Sequence, residues 1–442
     1  MNRILVLGAG RSSSSLISYL LEKAYLFDAH ITIGDFSEEV ARAKVGKATH
    51  GTAIQFDIQN TSASRVAIAK SDVVISLMPA HLHPLVAKIC LAEKKHLLNA
   101  SYVSDEMKSF DKEAKAKGLL FLNECGLDPG IDHMSAMQVI DRIKERGGSL
   151  TSFESFTGGL IAPETDPENP WRYKFTWNPR NVVMAGQGTA KFLQDGDYKY
   201  ISYQQLFQRT TPVTVSGFGK YEGYANRDSL KYLETYGLQN IKTMQRGTLR
   251  NEGYCSAWNI LVQLGCCDDT YNMEGIGSMR HIDFIQSFLD ENTVSVQEKL
   301  CSLFKLTPDG EEIKRLRWSE LFSDEKIGLE TGTPAQVLEH ILNKKWKLNA
   351  GDKDFIVMWH RFKYILNGKQ KEIQAHLTTT GDDEINTAMA KTVGLPLAIA
   401  ARLLVEGKIK QRGVAIPVTK EMYDPILASL GEMGVRLAEE EI

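Results

Sequence analysis

The fold of the first part of the chain is decided by the stretch Arg3-Ile4-Leu5-Val6-Leu7-Gly8-Ala9-Gly10-Arg11-Ser12-Ser13. The apolar residues at 3–7 predict a strand, and the apolar residues that recur at helical spacing over 16–21 predict a helix. A strand, a glycine turn and a helix in this order are typical of a dinucleotide-binding domain. Gly8 permits the tight turn, and Gly10 lets the backbone approach a pyrophosphate at the helix N-terminus. We therefore predict cofactor contacts from Gly8, Gly10, Arg11, Ser12 and Ser13.

The alternation of strands and helices continues to about residue 122. Further strands are predicted at 31–34, 52–56, 72–78, 96–99 and 119–122, with helical segments between them. This order predicts a parallel, doubly wound sheet that binds its ligand at the carboxyl ends of the strands. Those ends carry Gly8, Asp35, Pro79, the pair Ser101-Tyr102 and the stretch 123–133. We interpret His81 and His83, which lie in a loop of this region without a matching acid, as turn residues.

Asp35 ends the second predicted strand and bears on the choice of cofactor. An acid at this position accepts hydrogen bonds from a ribose 2′-hydroxyl and repels a 2′-phosphate. The next residue is Phe36 rather than an arginine. The sequence therefore favours NAD over NADP. The alternative is that Asp35 is a turn residue before the helix that begins near Glu38.

The stretch 123–133 places three acids and two glycines between the sixth predicted strand and a helix. Acids at such a junction can meet a ligand, while Gly126, Pro129 and Gly130 shape the backbone. The alternative is a tight turn in which Asp132 caps the helix. His133 is given no role beyond packing near a cofactor.

The remainder of the chain follows a different pattern. A strand at 153–159 precedes a proline-rich loop with aromatic residues at 171, 173, 175 and 177, which we expect to cover a cofactor or to form a dimer contact. Two short motifs, 226–229 and 246–250, contain arginines that can bind carboxylates or form surface salt bridges. Helices are predicted over 257–347 and 386–406, with a hairpin around Asn367-Gly368 between them. A strand at 414–417 and a helix at 425–430 complete the pattern.

Composition limits the classes of protein to consider. The 442 residues predict two or three domains, and 43% apolar with 24% charged residues is typical of a soluble globular protein. A net charge of −3 argues against nucleic acid as the main partner. No apolar run looks long enough to span a membrane, and the amino terminus does not resemble a signal peptide. The six scattered cysteines predict reduced thiols in a cytoplasmic protein, and no metal site is predicted.

Several motifs together resemble those of saccharopine reductase, the glutamate-forming saccharopine dehydrogenase family. They are Ala100-Ser101-Tyr102-Val103-Ser104, residues 123–133, Gly158-Gly159-Leu160-x-Ala162-Pro163-Glu164, Tyr173-Lys174-Phe175-x-Trp177, Asn226-Arg227-Asp228-Ser229, residues 246–250, Leu316-Arg317-Trp318 and Ala388-Met389-Ala390-Lys391-x-Val393-Gly394-x-Pro396. The resemblance covers nearly the whole chain in order.

The resemblance implies an α/β protein with three domains. A Rossmann-variant domain with a parallel sheet spans 1–126, and the helix around 386–406 packs back on it. A mixed-sheet α+β domain for substrate binding and dimerisation combines 127–256 with 348–442. An all-helical insertion spans 257–347. The expected protein is a homodimer that acts on a small substrate with several carboxylates and binds neither nucleic acid nor membrane.

The resemblance also implies the site residues. Substrate contacts fall on Ser101, Tyr102, Asp128, Arg227, Thr248, Leu249 and Arg250. Cofactor contacts fall on the glycine turn, Ser76, Leu77, Met78, Pro79, Leu127, Gly130, Ile131 and Trp177, and they add to Asp35, which the strand pattern predicts. Family members that use NADP carry arginine and threonine where this chain has Phe36 and Ser37, which again favours NAD, and they carry cysteine where this chain has Thr157.

The implied reaction is the NAD- or NADP-dependent interconversion of saccharopine with L-glutamate and 2-aminoadipate 6-semialdehyde, in lysine metabolism. Oxidation of the carbon that bears the secondary amine leaves an imine, which water converts to the two products. Asp128, Tyr102 and Glu124 are the candidate acid–base residues, with Asp128 first. One alternative is a related imine reductase, such as carboxynorspermidine dehydrogenase, for which acids should replace Arg227 and Arg250. Another alternative is a nucleotide-sensing protein without catalysis.

Overall fold

The computed structural model describes residues 1–290 and 294–442. Its strands are β1 (Asn2–Leu7), β2 (Ala29–Asp35), β3 (Gly51–Gln55), β4 (Val73–Ser76), β5 (His96–Asn99), β6 (Leu120–Leu122), β7 (Ser149–Ile161), β8 (Ala190–Gln194), β9 (Asp197–Ile201), β10 (Thr210–Val215), β11 (Gly219–Ala225), β12 (Thr243–Asn251), β13 (Asp354–Leu366), β14 (Lys369–Thr380), β15 (Gly413–Ala415) and β16 (Leu437–Glu441).

The helices alternate with the first strands and then cluster between β12 and β13. They are α1 (Ser14–Lys23), α2 (Glu38–Val45), α3 (Thr61–Ala69), α4 (His83–Glu93), α5 (Asp105–Ser109), α6 (Asp111–Ala116), α7 (Ile131–Glu145), α8 (Pro179–Val183), α9 (Tyr203–Leu206), α10 (Tyr232–Thr235), α11 (Tyr254–Leu264), α12 (His281–Gln286), α13 (Val296–Phe304), α14 (Glu311–Trp318), α15 (Pro334–Trp346), α16 (Ala388–Val405) and α17 (Lys420–Glu432). Short 3-10 turns occur at Arg11–Ser13, Ala24–Phe27, Ala80–Leu82 and Ile276–Ser278.

The described chain divides into two compact units. The first unit contains Met1–Ser149 and Leu377–Ala438, and the second contains Leu150–His376 and Glu439–Ile442. The helix α7 therefore groups with the strands that precede it, beyond the domain boundary expected at residue 126.

The first unit is built on a seven-stranded parallel sheet in the order β15-β6-β5-β4-β1-β2-β3. This confirms the predicted doubly wound sheet, whose strands are apolar runs because helices cover them on both faces. The register sets Leu7 beside Gly34 on one side and Ser76 on the other, and Ser76 beside Asn99. The carboxyl ends of these strands therefore lie level along one edge of the sheet.

Helix α16 is the most apolar helix of the first unit and packs against α1. A Cβ atom added to Gly394 would lie 2.9 Å from the Leu16 Cβ, so the two helices approach closely at that glycine. Among the described residues, α16 alone is long and apolar enough to cross a membrane, with a mean hydropathy of 1.5. The expectation that no run has this length is therefore wrong. Because 78% of the helix is buried inside the structure, its apolarity is that of a core helix.

The second sheet is mixed and has nine strands. Its main path is β10-β11-β12-β7-β13-β14-β16, and β8 joins both β12 and β9. β12 runs parallel to β7 and antiparallel to β11. The predicted hairpin between β13 and β14 is confirmed, and Asn367 and Gly368 both have positive φ, at 51° and 72°.

The helices α11–α15 and the mixed sheet share one apolar cluster in the second unit. Trp171, Trp258 and Trp346 lie at its centre, with the rings of Trp171 and Trp346 in edge contact at 5.2 Å. Three residues of the aromatic loop, Trp171, Tyr173 and Phe175, are core residues rather than a cover for a ligand. Because this core is continuous, the helices at 257–347 do not form a compact unit apart from the mixed sheet. The separate helical domain expected there stays a prediction.

Lys174 fixes the aromatic loop in place. Its side chain is 1% exposed, and its ammonium group pairs with Asp166 at 2.9 Å and with Asp352 at 2.7 Å. A buried ammonium requires such partners because desolvation is costly. The two ion pairs therefore hold the neighbouring Tyr173 in a defined position.

Candidate active site

The glycine turn after β1 has the geometry that a dinucleotide requires. Gly8 has a φ of 102°, and a Cβ atom there would lie 3.3 Å from the Leu77 backbone. Around Gly10 the space is open, since a Cβ atom would meet nothing within 4 Å. The Ser13 hydroxyl donates to the Gly10 carbonyl at 2.7 Å and so closes the turn before α1. The turn thus leaves room for a pyrophosphate against the backbone, and these residues fit the predicted cofactor.

Asp35 supports the same turn. One carboxylate oxygen accepts the Ala9 N–H at 2.7 Å, and the other accepts the Ser37 N–H at 3.1 Å. Each oxygen keeps a further lone pair for a ribose hydroxyl. Phe36 is 73% exposed directly beside it. Asp35 therefore stabilises the turn and also puts a negative charge at the carboxyl end of β2.

The segment from Ser76 to Pro79 leaves the sheet next to the glycine turn. The Leu77 N–H donates to the Leu7 carbonyl at 2.8 Å, which extends the β1–β4 pairing by one residue. Ser76 is buried, whereas Leu77 and Met78 are partly exposed. Pro79 and a 3-10 turn follow them. The predicted cofactor residues of β1 and β4 are thus neighbours in the first unit.

The turn from Gly126 to Gly130 leads into α7. Gly130 has a φ of 148°, and a Cβ atom there would lie 2.1 Å from the Gly126 carbonyl oxygen, so no side chain fits. The predicted capping of α7 by Asp132 is wrong. The N-cap residue is Gly130, and the Asp132 carboxylate instead accepts the Gly130 N–H at 2.6 Å. Leu127 and Ile131, which flank this turn, are buried.

Glu124 and His133 join two loops at the edge of the sheet. Glu124 is 3% exposed, and one of its oxygens accepts the Val103 N–H at 2.9 Å. Its other oxygen lies 2.8 Å from Nε2 of His133, which is completely buried. His133 therefore has a definite partner that the sequence did not indicate. Glu124 holds the backbone next to Tyr102, and its acid–base role stays a prediction.

Tyr102 and Asp128 form the polar pair that faces outward from these loops. The Tyr102 hydroxyl donates to a carboxylate oxygen of Asp128 at 3.0 Å, and both side chains are partly exposed. Cys125 lies nearby in sequence but is completely buried, and burial raises the pKa of its thiol. A neutral buried thiol is a poor nucleophile. Cys125 is therefore no candidate for the chemistry, and the acid–base roles of Tyr102 and Asp128 stay predictions.

His83 connects the ends of two neighbouring strands. Its Nδ1 lies 3.0 Å from the Ser76 hydroxyl and its Nε2 lies 2.9 Å from the Ser101 hydroxyl. The side chain is 4% exposed, so its interpretation as a turn residue is wrong. Burial, with a contribution from His81, lowers the pKa of His83 to about 4. The imidazole is therefore neutral at physiological pH.

Arg250 lies in the second unit on β12, surrounded by aromatic rings. Its guanidinium carbon lies 5.0 Å from the centre of the Tyr173 ring, 5.2 Å from that of Tyr254 and 5.9 Å from that of Tyr224. The side chain is 5% exposed, and Nη1 donates to the Leu249 carbonyl at 2.9 Å. Nε is buried without a hydrogen-bond partner. Among the described residues, no carboxylate pairs with this cation.

The acid closest in register to Arg250 is already engaged. Glu222 faces Arg250 across the β11–β12 pair, but its two oxygens accept the N–H groups of Gly253 and Cys255 at 2.8 and 3.0 Å. These donors belong to the start of α11, where a carboxylate is favourable. Burial also raises the pKa of the Tyr173, Tyr224 and Tyr254 hydroxyls, which keeps them neutral. Arg250 is thus a buried cation that is surrounded by neutral aromatic rings and does not form an ion pair with Glu222.

The other predicted site residues of the second unit differ in their exposure to solvent. Thr248 is partly exposed and faces Tyr224 on the same side of the sheet as Arg250. Leu249 is completely buried in the apolar cluster, so only its main chain can meet a ligand. Arg227 is exposed just beyond β11, with a φ of 48°, and Trp177 is partly buried against the core. The structure thus brings Thr248 and Arg250 together on one face of β12.

One group of potential metal ligands lies in the second unit. Within the described residues, His281, Glu320 and Glu325 have side-chain atoms close enough to share a cation. Glu320 pairs with Lys345 at 3.1 Å, and Glu325 pairs with Lys344 at 2.5 Å. Lysine ammonium groups therefore already neutralise both carboxylates. The six cysteines, all within the described residues, are free thiols.

Comparison with known proteins identifies the family. The family model for the saccharopine dehydrogenase NADP binding domain matches residues 4–122, and the model for the saccharopine dehydrogenase C-terminal domain matches residues 126–435. The chain is 32% identical to saccharopine dehydrogenase [NADP(+), L-glutamate-forming] of Saccharomyces cerevisiae, over 99% of both chains. The solved structure of the apo, histidine-tagged saccharopine dehydrogenase (L-Glu forming) from the same yeast superposes with a TM-score of 0.89, at 30% identity and over 100% of both chains.

Animal relatives are longer. The chain is 34% identical to mitochondrial alpha-aminoadipic semialdehyde synthase of Bos taurus, over 98% of this chain but only 47% of that protein. It therefore spans about half the length of these first relatives. The two matching domain families, the full-length match to the yeast enzyme and the superposition agree, and this chain belongs to the saccharopine dehydrogenase family.

Proposed function

We propose that this protein oxidises saccharopine to L-glutamate and 2-aminoadipate 6-semialdehyde with a nicotinamide dinucleotide, and catalyses the reverse reaction. Membership of the family and the names of the full-length fungal relatives support this activity. A small-molecule substrate is consistent with the family. The cytoplasmic location stays a prediction.

The observation that carries the proposal is the buried guanidinium of Arg250, which forms no ion pair with any carboxylate of the described residues. A buried cation without an internal counter-ion is costly, so the site is suited to a ligand that brings the negative charge. Saccharopine carries three carboxylates, and an arginine binds a carboxylate through two parallel hydrogen bonds. Carboxynorspermidine has fewer carboxylates and more amines, which an arginine in this position would repel. The geometry therefore favours saccharopine over the alternative substrate.

The residues of the first unit supply the cofactor and proton chemistry. The glycine turn and the end of β4 would hold the dinucleotide, which would supply the hydride acceptor for oxidation of the carbon that carries the secondary amine. That amine has to be neutral before the carbon is oxidised, and in this proposal Asp128 accepts its proton while Tyr102, which donates a hydrogen bond to Asp128, orients the carboxylate. Glu124 and His133 hold the Tyr102 loop at the end of β5. Asp128 is then able to return a proton during hydrolysis of the imine.

The direct test is an assay of the purified protein with saccharopine and NAD or NADP, followed by reduced-cofactor absorbance and by detection of glutamate. We expect turnover with saccharopine, and no turnover when saccharopine is replaced by carboxynorspermidine. Binding of the dinucleotide without turnover of either substrate would support the nucleotide-sensing alternative and reject the proposal.

We also propose that NAD is preferred to NADP, because the Asp35 carboxylate repels a 2′-phosphate. Asp35→Asn keeps an oxygen that accepts the Ala9 N–H but removes the charge. We expect this variant to raise the NADP/NAD ratio of kcat/KM by about tenfold or more, the order of one close charge–charge repulsion. Asp28→Asn, at the opposite end of β2, removes an exposed acid and serves as the control. A wild-type preference for NADP would contradict this reading of Asp35.

A homodimer is our proposal for the assembly, as the family resemblance implies. β9 pairs only with β8 in the described part of the chain, and its Tyr198 and Tyr200 are 62% and 59% exposed. Exposed tyrosines on one face of an edge strand are common at interfaces. Light scattering after gel filtration should give twice the 49.4 kDa mass of one chain, and a mass of one chain would reject the dimer.

A further inference from the structure

The imidazole of His83, which contacts the hydroxyls of Ser76 and Ser101, sets the direction of the hydrogen bond at Ser101. A neutral imidazole has one N–H donor and one acceptor nitrogen. Because its two nitrogens face the hydroxyls of Ser76 and Ser101, one serine donates to the ring and the other accepts from it. The tautomer of His83 therefore decides whether the Ser101 hydroxyl offers its hydrogen or its lone pairs to a ligand.

The remaining groups of Ser101 are already fixed by the strand ends. Its N–H donates to the Asn99 side chain at 2.9 Å, and its carbonyl accepts the Glu124 N–H at 3.1 Å. Asn99 is itself held by the Asn123 side chain, to which it donates at 2.7 Å. The backbone of Ser101 therefore has no freedom to turn, and the rotation of its hydroxyl is the one local variable that His83 controls.

We propose that His83 is a positioning residue that holds its proton on Nε2 and donates it to Ser101, so that the Ser101 hydroxyl donates its own hydrogen to a carboxylate of the substrate. In this arrangement Ser76 donates to Nδ1, and the hydrogen bonds run from the end of β4 through the imidazole to the end of β5. The opposite tautomer would present only lone pairs at Ser101, which repel a carboxylate. Burial keeps the imidazole neutral, since the pKa of His83 lies at about 4.

The same bridge links the predicted cofactor and substrate residues. Ser76 lies beside Leu7, the residue before the glycine turn, whereas Ser101 is a proposed substrate contact. His83 touches neither ligand in this scheme and acts through the two serines. The assignment of the ligand as a substrate carboxylate, and with it the choice of tautomer, rests on the proposed function, whereas the tautomer itself can be measured without any turnover.

The first test is the nitrogen-15 NMR spectrum of the wild-type protein labelled at histidine. Chemical shifts distinguish a protonated ring nitrogen from an unprotonated one, and comparison with His83→Gln or Ser76→Ala identifies the His83 signals. We expect a protonated Nε2 and an unprotonated Nδ1 near neutral pH. A protonated Nδ1, or a doubly protonated ring, would overturn the proposal even if saccharopine is the substrate.

The second test compares steady-state kinetics of His83→Gln and His83→Leu. The glutamine amide can replace the Nε2–H donor, whereas leucine cannot. We expect His83→Leu to raise the KM for saccharopine about tenfold or more, the effect of one hydrogen bond to a charged group, with a smaller change in the KM for the cofactor. His83→Gln should recover most of the loss. His96→Gln is the matched control, because His96 is a partly buried histidine of the same unit that accepts a backbone N–H at 2.9 Å.

Coupling to Ser101 separates positioning from a general structural effect. In a Ser101→Ala background, His83→Leu should raise the KM for saccharopine by no more than about twofold, because its target hydroxyl is gone. Equal effects in both backgrounds would reject the proposal. If the wild-type protein does not turn over saccharopine, the proposed function fails, and the NMR result alone decides the tautomer.

Discussion

Arg250→Met is expected to raise the KM for saccharopine by about 30-fold or more while kcat changes much less. Methionine retains a flexible side chain among the rings of Tyr173, Tyr224 and Tyr254, so the loss is mainly that of the charge. Removing one partner of a buried, hydrogen-bonded charge pair costs about 2–5 kcal/mol. A contact made equally to the substrate and to the transition state appears in KM rather than in kcat. Steady-state kinetics at saturating cofactor measures this directly.

Two further variants sharpen the test of Arg250. Arg250→Lys keeps the charge but loses the planar fork, so its KM should lie between those of the wild type and Arg250→Met. Arg280→Met, which removes a half-exposed arginine of the same unit paired with Asp283 and Asp324, should leave the KM unchanged. An unchanged KM in Arg250→Met, with the protein folded by circular dichroism, would remove Arg250 as the carboxylate-binding residue.

The parallel sheet was predictable because each of its signals is local. The glycine turn follows directly after an apolar strand, and Gly8 indeed adopts a φ that other residues avoid. Ser104 caps α5 by accepting the Met107 N–H at 3.1 Å, and a serine directly before a helix is also a local signal. The strand β16 was not predicted, because Leu437–Glu441 contains three consecutive acids and no apolar alternation. Such an edge strand is set by its neighbour rather than by its own pattern.

The candidate site was only partly predictable, because side-chain partners come from distant positions. The sequence placed Asp132 at the helix cap, yet the tight Gly126–Gly130 contact moves the N-cap to Gly130 and turns the Asp132 carboxylate back onto its N–H group. His83 looked like a turn residue because Ser101, one of its two partners, lies 18 positions away. The register of β4 and β5, which sets Ser76 beside Asn99, is the signal that could have indicated this contact.

The electrostatic environment of Arg250 was likewise not predictable from the sequence. Its motif indicated a carboxylate site or a surface salt bridge with no means of choosing between them. The choice depends on Glu222, 28 positions earlier, which lies across the sheet but binds the N-terminus of α11 instead. Because helix α11 takes up that acid, the guanidinium lacks a protein carboxylate. A feature of this kind arises from tertiary packing and leaves no periodic pattern in the sequence.

Asp128→Asn is expected to lower kcat for saccharopine oxidation by about 100-fold or more, the usual contribution of a general base. Asparagine keeps an oxygen that accepts the Tyr102 hydroxyl, which lies 3.0 Å from the aspartate, so the loops should stay in place while the proton acceptor is lost. Asp141→Asn is the matched control, because Asp141 accepts the Tyr423 hydroxyl at 2.7 Å in the same unit, away from the strand ends. Its kcat should match that of the wild type.

The behaviour of Tyr102→Phe distinguishes the two roles proposed for this pair. If the tyrosine only orients the carboxylate, its loss should lower kcat less than Asp128→Asn does, and the double variant should be no slower than Asp128→Asn alone. Additive losses would mean that each group handles a proton independently. Full turnover in Asp128→Asn would reject Asp128 as the base and leave Tyr102, Glu124 or proton exchange between the substrate amine and water as the route.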